Sequence, residues 1–278
     1  MITGSSSGIG KATSTELARM GAKVVMVCRD GARGEAARRE VIEKSGASEA
    51  DLELAFADLS SLDSVRSLAA DFLKTGRSLH VLINNAGLIL GERQVTKDGL
   101  ETTFVVNYLS HFLLTNLLLG NLKSAAPSRV INVTSDASQS ARIHFDDLQL
   151  ERGYSATRSY GQSKLAQVLF TNELAMKLQG TAVTSNCVHP GAVATNWGRH
   201  SAGAMSIIVR LASPFMKSPQ KGAETVVYLA SSPEVAGVSG KYFANKKEKA
   251  TSPECNDETS AQRLWRSSLE LSGLGSDS

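Results

Sequence analysis

Short apolar runs rich in β-branched residues alternate along this chain with longer stretches whose apolar positions recur every three or four residues. Lys23–Cys28 (KVVMVC), Leu52–Ala57, Leu79–Ile83 (LHVLI), Arg129–Thr134 (RVINVT) and Thr181–Val188 predict strands, and a last short one follows Gly240 at Lys241–Phe243. Between them Gly8–Met20, Arg33–Lys44, Ser61–Lys74, Leu100–Leu122, Ser159–Leu178 and Lys221–Ala230 predict helices. The strand runs are continuously apolar rather than alternating, the pattern of strands buried on both faces of a parallel sheet. End-to-end strand–helix alternation therefore predicts an α/β fold, a single doubly wound parallel sheet with helices on both faces.

Several boundaries are legible. Ser60 or Ser61 caps the third helix, with Asp63 in its first turn, and Gly21 and Gly180 end the first and fifth. No repeat or interdomain linker interrupts the pattern, so residues 1–270 are expected to form one catalytic domain and the Ser/Gly-rich 271–278 a disordered tail. The first strand-like segment is only Met1-Ile2-Thr3, against an average strand of about five or six residues. A strand so short at the centre of the sheet is expected to leave neighbouring backbone groups unpaired.

Composition narrows the class. The chain has 278 residues, 42% hydrophobic and 21% charged, with a net charge of +3 that is too small to argue for nucleic acid. No apolar run approaches the ~18 residues that span a bilayer; FLLTNLLLGNL at 112–122 is broken by Thr115 and Asn116 and predicts a buried helix. Three scattered cysteines, Cys28, Cys187 and Cys255, have neither metal-like spacing nor the makings of a disulfide framework. With no signal-peptide pattern at its start, the chain is expected in the cytoplasm. A membrane anchor ahead of Met1 would change that assignment.

Chemistry enters at TGSSSGIG, Thr3–Gly10, between the first strand and the first helix. Gly4 allows a tight turn, while Gly8 and Gly10 let the backbone and the helix N-terminus approach a pyrophosphate. A glycine trio alone also fits an ordinary strand–helix turn; its place after a strand and before a helix favours a dinucleotide. At the end of the second strand stands Cys28-Arg29-Asp30, with Arg33 one turn later. A guanidinium there suits the 2′-phosphate of NADP, whereas Asp30 resembles the acid that binds the ribose of NAD. NADP is the expected cofactor and NAD the alternative.

In SYGQSK, Tyr160 and Lys164 lie four apart, on one face of a helix. The spacing alone also describes a solvated face, and Tyr154 with Arg158 repeats it in a polar stretch before the helix. A tyrosine of pKa about 10 needs a cation beside it to act near neutrality.

Together, TGSSSGIG, NNAG at 84–87, Asn107, Ser135, Tyr160 with Lys164 and HPG at 189–191 resemble, in order and spacing, the short-chain dehydrogenase/reductase family over nearly the whole chain. HFDDLQLERGYSATRSYGQSKLAQVLFTNELA, VHPGAVATNWGRH and YLASSPEVAGVSGKYF look like its retinol dehydrogenase-like branch. The resemblance implies a Rossmann fold and an NADP-dependent oxidoreductase acting on CH–OH groups, interconverting a bulky apolar aldehyde or ketone and its alcohol. It implies Tyr160 as acid/base, Lys164 as its partner and holder of the nicotinamide ribose, Ser135 on the substrate oxygen and Asn107 in a proton relay. Thr134 is the neighbour that competes with Ser135, and His111 is expected only to pack. Gly4, Ser6, Ser7, Gly8, Ile9 and Gly10 would cradle the pyrophosphate, and Arg29 and Arg33 the adenosine phosphate. Asp58 and Leu59 would face the adenine, Asn85, Ala86 and Gly87 line the cofactor, and Pro190, Gly191, Val193 and Thr195 surround the nicotinamide.

Residues 196–220 correspond to the family's substrate lid and are rich in Met, Ile, Val, Leu and Phe. That suits a long apolar substrate, a peripheral membrane contact, or plain core packing. Homo-oligomers are common in the family. Two alternatives are a sugar-nucleotide epimerase or dehydratase, which would carry TGxxGxxG and a long C-terminal domain, and a cofactor-binding sensor, which would lack Tyr160 or Ser135.

Overall fold

The computed structural model describes residues 1–193 and 217–275. Eight strands form one sheet in the order β3-β2-β1-β4-β5-β6-β7-β8. They are β1 (Ile2–Thr3), β2 (Val24–Cys28), β3 (Leu52–Phe56), β4 (Val81–Asn84), β5 (Ser128–Val133), β6 (Val183–His189), β7 (Tyr242–Ala244) and β8 (Lys247–Glu248). All neighbouring pairs are parallel except β7 with β8, a short antiparallel hairpin. The order reverses direction at β1 and β4, and at such a switch point the carboxyl ends of the strands open a crevice.

Helices cover both faces. On one face α1 (Gly8–Arg19), α2 (Gly31–Ser45) and α6 (Pro219–Ser231) enclose Ile2, Met26, Val41, Ile83, Ile131 and Val226. On the other, α3 (Leu62–Lys74), α4 (Thr102–Ser124), α5 (Ala156–Lys177) and α7 (Glu258–Ser272) enclose a larger core around Phe104, Tyr108, Phe112, Phe170 and Trp265. β2, β5 and β6 are thus buried from above and below, as their pattern required, while edge strand β3 leaves Glu53 and Phe56 exposed.

α4 is long and apolar enough to cross a membrane by length and composition, contrary to the reading of its interrupted run. Yet 78% of its apolar 18-residue window is buried inside the molecule, so it serves as the core helix.

Three differences from the sequence reading have local causes. α2 begins at Gly31 because the Asp30 carboxylate accepts the Arg33 N–H at 2.8 Å and caps it. α7 was not anticipated, although Ala261, Leu264, Trp265, Ser268 and Leu269 mark one apolar face. It carries the chain past the expected boundary at 270: Gly273 caps it in a left-handed conformation and Leu274 packs on the core, so a disordered tail from 271 is corrected for 271–275.

β1 is as short as read, but it is paired. Ile2 and Thr3 register with Met26 and Val27, the Ile83 N–H donates to the Met1 carbonyl, and the Met1 amine donates to the Val81 carbonyl. The expectation of unpaired neighbours fails at these positions because Met1 continues the ladder. Beside Met1 a cavity of about 230 Å³ is lined by Val25, Leu54, Leu68 and Phe72.

Candidate active site

The site lies at the carboxyl ends of β1, β4, β5 and β6. Gly4 and Gly8 have positive φ, which glycine adopts without the steric penalty of a Cβ. A Cβ on Gly10 would clash with the Gly4 carbonyl oxygen, so this glycine lets α1 sit against the loop. Ser7 occupies the N-cap of α1 but makes no side-chain hydrogen bond there, leaving the first-turn N–H groups of Gly8, Ile9 and Gly10 uncapped by a side chain. Ser6 lies beside it in the same half-exposed turn. Uncapped amides at a helix start, with room made by glycine, fit a pyrophosphate.

Thr3 holds the second wall. Its Oγ1 accepts N–H bonds from Asn85 (2.9 Å) and Ala86 (3.0 Å), and Asn85 Nδ2 donates to the Thr3 carbonyl at 2.7 Å. Thr3 Oγ1 also meets His111 Nε2 at 2.9 Å, and His111 Nδ1 meets the Asn107 carbonyl at 3.0 Å. Since a carbonyl only accepts, Nδ1 carries the proton and Nε2 accepts from Thr3. Burial pushes the His111 pKa down to about 4, which keeps the ring neutral. His111, read as a packing residue, therefore bridges the glycine loop and Asn107.

Asn107 sits in a π-helical turn, Val105–Leu109, within α4. Such turns are frequent at functional sites. Its Oδ1 accepts from Leu88 N–H at 2.8 Å, and its Nδ2 donates to Leu88 O and Ser163 Oγ, both at 2.9 Å. A Cβ on Gly87 would lie 3.4 Å from Asn107 Oδ1 and 3.5 Å from Lys164 Nζ, so the NNAG segment passes directly over both.

Tyr160 and Lys164 share a face of α5, with Nζ 5.6 Å from the phenol ring centroid. Ser135, the N-cap of a short 3-10 turn, lies close enough to the Tyr160 hydroxyl to lower its pKa. Thr134 faces away and donates to the Lys164 carbonyl at 2.9 Å, so geometry separates the two neighbours. Lys164 Nζ donates to the Val133 carbonyl (2.9 Å) and to Gln167 Oε1 (2.8 Å). Burial pushes the tyrosine pKa up, with Ser135 opposing it, and burial lowers Lys164 to about 7. Desolvation disfavours both charged forms here, whereas the lowered tyrosine pKa expected from the sequence belongs to the ammonium acting together with a bound, oxidised nicotinamide. Tyr154, the rival, lies before α5 and donates to the Leu90 carbonyl at 3.0 Å. Its partner in spacing, Arg158, binds His144 and the carbonyls of Arg152 and Gly153.

The remaining residues flank this centre. Arg29 and Arg33 are exposed at the end of β2 and, among the described residues, their side chains make no hydrogen bond or ion pair. Asp58 accepts from the Ser60 N–H and hydroxyl, while Leu59 is buried in the core. Pro190 and Gly191 follow β6, and Val193 pairs with Lys217, whose N–H donates to Ala192 O at 2.8 Å. The two flanks of 194–216 thus meet beside the glycine loop, where Gly222 leaves room for Val193 and Ile9. Thr195 and most of the expected lid, 196–216, lie outside the described residues.

One cluster was not anticipated. Asp136, next to Ser135, accepts from Tyr242 Oη (2.8 Å) and Lys249 Nζ (2.8 Å), and its N–H donates to His189 Nδ1 (3.2 Å). Burial opposes its ionisation, but bonds from Lys249 and Tyr242 outweigh this and hold the carboxyl below its usual value.

A glycine-cradled helix start beside half-buried Ser135 and buried Tyr160, Lys164 and Asn107, on a doubly wound sheet, fits a dinucleotide-dependent oxidoreductase. The short chain dehydrogenase family model matches residues 1–206, and the chain belongs to that family. It is 48% identical to human retinol dehydrogenase 14 over 290 residues, covering 99% of this chain and 86% of that protein. Bovine retinol dehydrogenase 12 is 44% identical over 274 residues, with 99% and 86% coverage. An uncharacterized protein from Mycobacterium paratuberculosis has the same fold at a TM-score of 0.77 and 33% identity, covering 98% of this chain and 92% of its own. A Burkholderia cenocepacia short chain dehydrogenase, solved in complex with NADP, matches at 0.68 and 23% identity over 87% of this chain and 93% of its own, a likeness of fold alone. This is a retinol dehydrogenase-like oxidoreductase acting on CH–OH groups.

Proposed function

We propose that the chain interconverts a bulky apolar aldehyde or ketone and its alcohol with NADP, using Tyr160 as the acid/base. The observation that carries the reading is Lys164 beside the Tyr160 ring on one face of α5, with Asn107 and Lys164 together beneath Gly87 of the NNAG segment and Ser135 next to the phenol. NADP, when bound, supplies or accepts the hydride. Ser135 and Tyr160 present two hydroxyls to one substrate oxygen, and the phenol gives up its proton as negative charge develops there. The phenol donates this proton in the reduction and its phenolate takes it back in the oxidation. Lys164 steadies the phenolate left behind, and the third N–H of its ammonium remains for the ribose.

Preference for NADP over NAD is supported at the end of β2. The Asp30 carboxylate is engaged in capping α2, while the two guanidinium groups of Arg29 and Arg33 carry no partner among the described residues. An apolar substrate is supported by the retinol dehydrogenases it resembles and by the composition of 196–216.

Oxidation of NADPH and NADH in the presence of retinal, wild type beside Tyr160→Phe, tests this. Turnover with NADPH that disappears in the variant, while NADPH still binds, is the expected result. Equal turnover in the two proteins would remove Tyr160 from the chemistry.

A further inference from the structure

Lys164 is fixed by two acceptors, one of which nothing in the sequence motif demands. The Val133 carbonyl comes with the strand. Gln167 Oε1, one turn along α5, comes from a side chain that is itself 1% exposed. An ammonium only donates, so the carboxamide must turn its oxygen toward Nζ. Its Nε2 then points into the interior, where it has no hydrogen-bond partner among the described residues. A buried amide left half-satisfied calls for a reason, and the contact with Lys164 supplies one.

We propose that Gln167 is a positioning residue for Lys164: its carboxamide oxygen fixes where the ammonium sits and how firmly it holds its proton. The inference rests on the reading of Lys164 as partner to Tyr160 and the cofactor ribose. An ammonium in a dry site is stabilised by each acceptor dipole aimed at it, and burial alone already lowers Lys164 to about 7. Removing the amide oxygen leaves the Val133 carbonyl and increases the preference for neutral amine; a carboxylate in its place reverses that. Among the described residues, the titratable groups near Nζ are Tyr160 on the same helix and His111 from α4. The Gly87 segment and β5 bring only backbone and amide groups to it. His111 is neutral across the neutral range, so a change in Lys164 titration on altering Gln167 is read against a constant background.

The test is an NMR titration of the full-length protein carrying lysine labelled at Cε, with Lys164→Met to identify the Lys164 signal. Wild type, Gln167→Leu and Gln167→Glu are compared, each first checked by its thermal melt. The expected result is a midpoint that moves down in the Leu variant and up, toward the ordinary lysine value, in the Glu variant. A purely structural role would change the melts and leave the midpoint where it is, and an unmoved midpoint in the Leu variant overturns the proposal. Should the Leu variant not fold, the Glu variant decides on the same criterion. The limb of the NADPH-dependent pH–rate profile that tracks Lys164 moves with the NMR midpoint. If wild type turns over no carbonyl at all, the functional reading fails while the NMR comparison still decides the role of Gln167.

Discussion

At the residue scale, burial decides more than charge pairing. Tyr160 and Lys164 look on paper like a phenol tuned by a neighbouring cation; in the fold, desolvation pushes both toward neutrality, and Ser135 and Gln167 are their close polar contacts. His111 shows the same effect with a measurable consequence. Its folded pKa, about 4, lies below the ordinary 6.5. Stability from the neutral ring is therefore complete above pH 6.5 and is lost as pH falls through 4, up to about 3 kcal/mol. Melting His111→Asn beside wild type from pH 7.5 to 4.5 should show a weaker acid dependence in the variant. At the adenosine end, Arg33→Ala should raise KM for NADPH about tenfold and leave that for NADH unchanged, as loss of one charge-assisted bond predicts. Steady-state kinetics with both cofactors checks it.

At the scale of elements, glycine has two opposite meanings here. Gly10 is held against the Gly4 carbonyl, and Gly10→Ala should lose cofactor binding together with several degrees of melting temperature. Gly120 is exposed inside α4 with nothing within 4 Å of a Cβ, so Gly120→Ala should stabilise by roughly 0.5–1 kcal/mol. Calorimetry of the pair separates packing from helix propensity. β1 carries a further expectation. An apolar extension before Met1 would lengthen β1 beside Val81 and reach the adjoining cavity. A rise in Tm of a few degrees is the expected outcome, and superimposable melts would refute it.

Over the whole molecule, the two cores meet different demands. The larger one joins α4, α5 and α7 through Phe112, Phe170 and Trp265, with Tyr108 Oη on Ser268 Oγ at 2.7 Å. This anchors the two helices that carry Asn107 and Lys164 to the C-terminal helix, so the site depends on residues over a hundred positions away in sequence. The Asp136–Lys249 contact acts similarly, tying the turn that begins at Ser135 to the chain just beyond β8.

The fold was legible because strand and helix periodicities are local, and each apolar run had to be covered on both faces. The candidate site residues were legible through resemblance: TGSSSGIG, NNAG and Tyr160 with Lys164 stand in the order and spacing of the short-chain dehydrogenase/reductase family, whereas the Tyr–Lys spacing alone also describes a solvated face. The serine-rich face of α7 concealed a helix that its apolar positions did mark. What the sequence alone did not determine is which groups close on one another across elements. Thr3 reaching His111, Gln167 turning its oxygen to Lys164, Asp136 meeting Tyr242 and Lys249, and the desolvation of Tyr160 and Lys164 all follow from burial and from contacts between distant segments. Those quantities exist only once the helices are packed on the sheet.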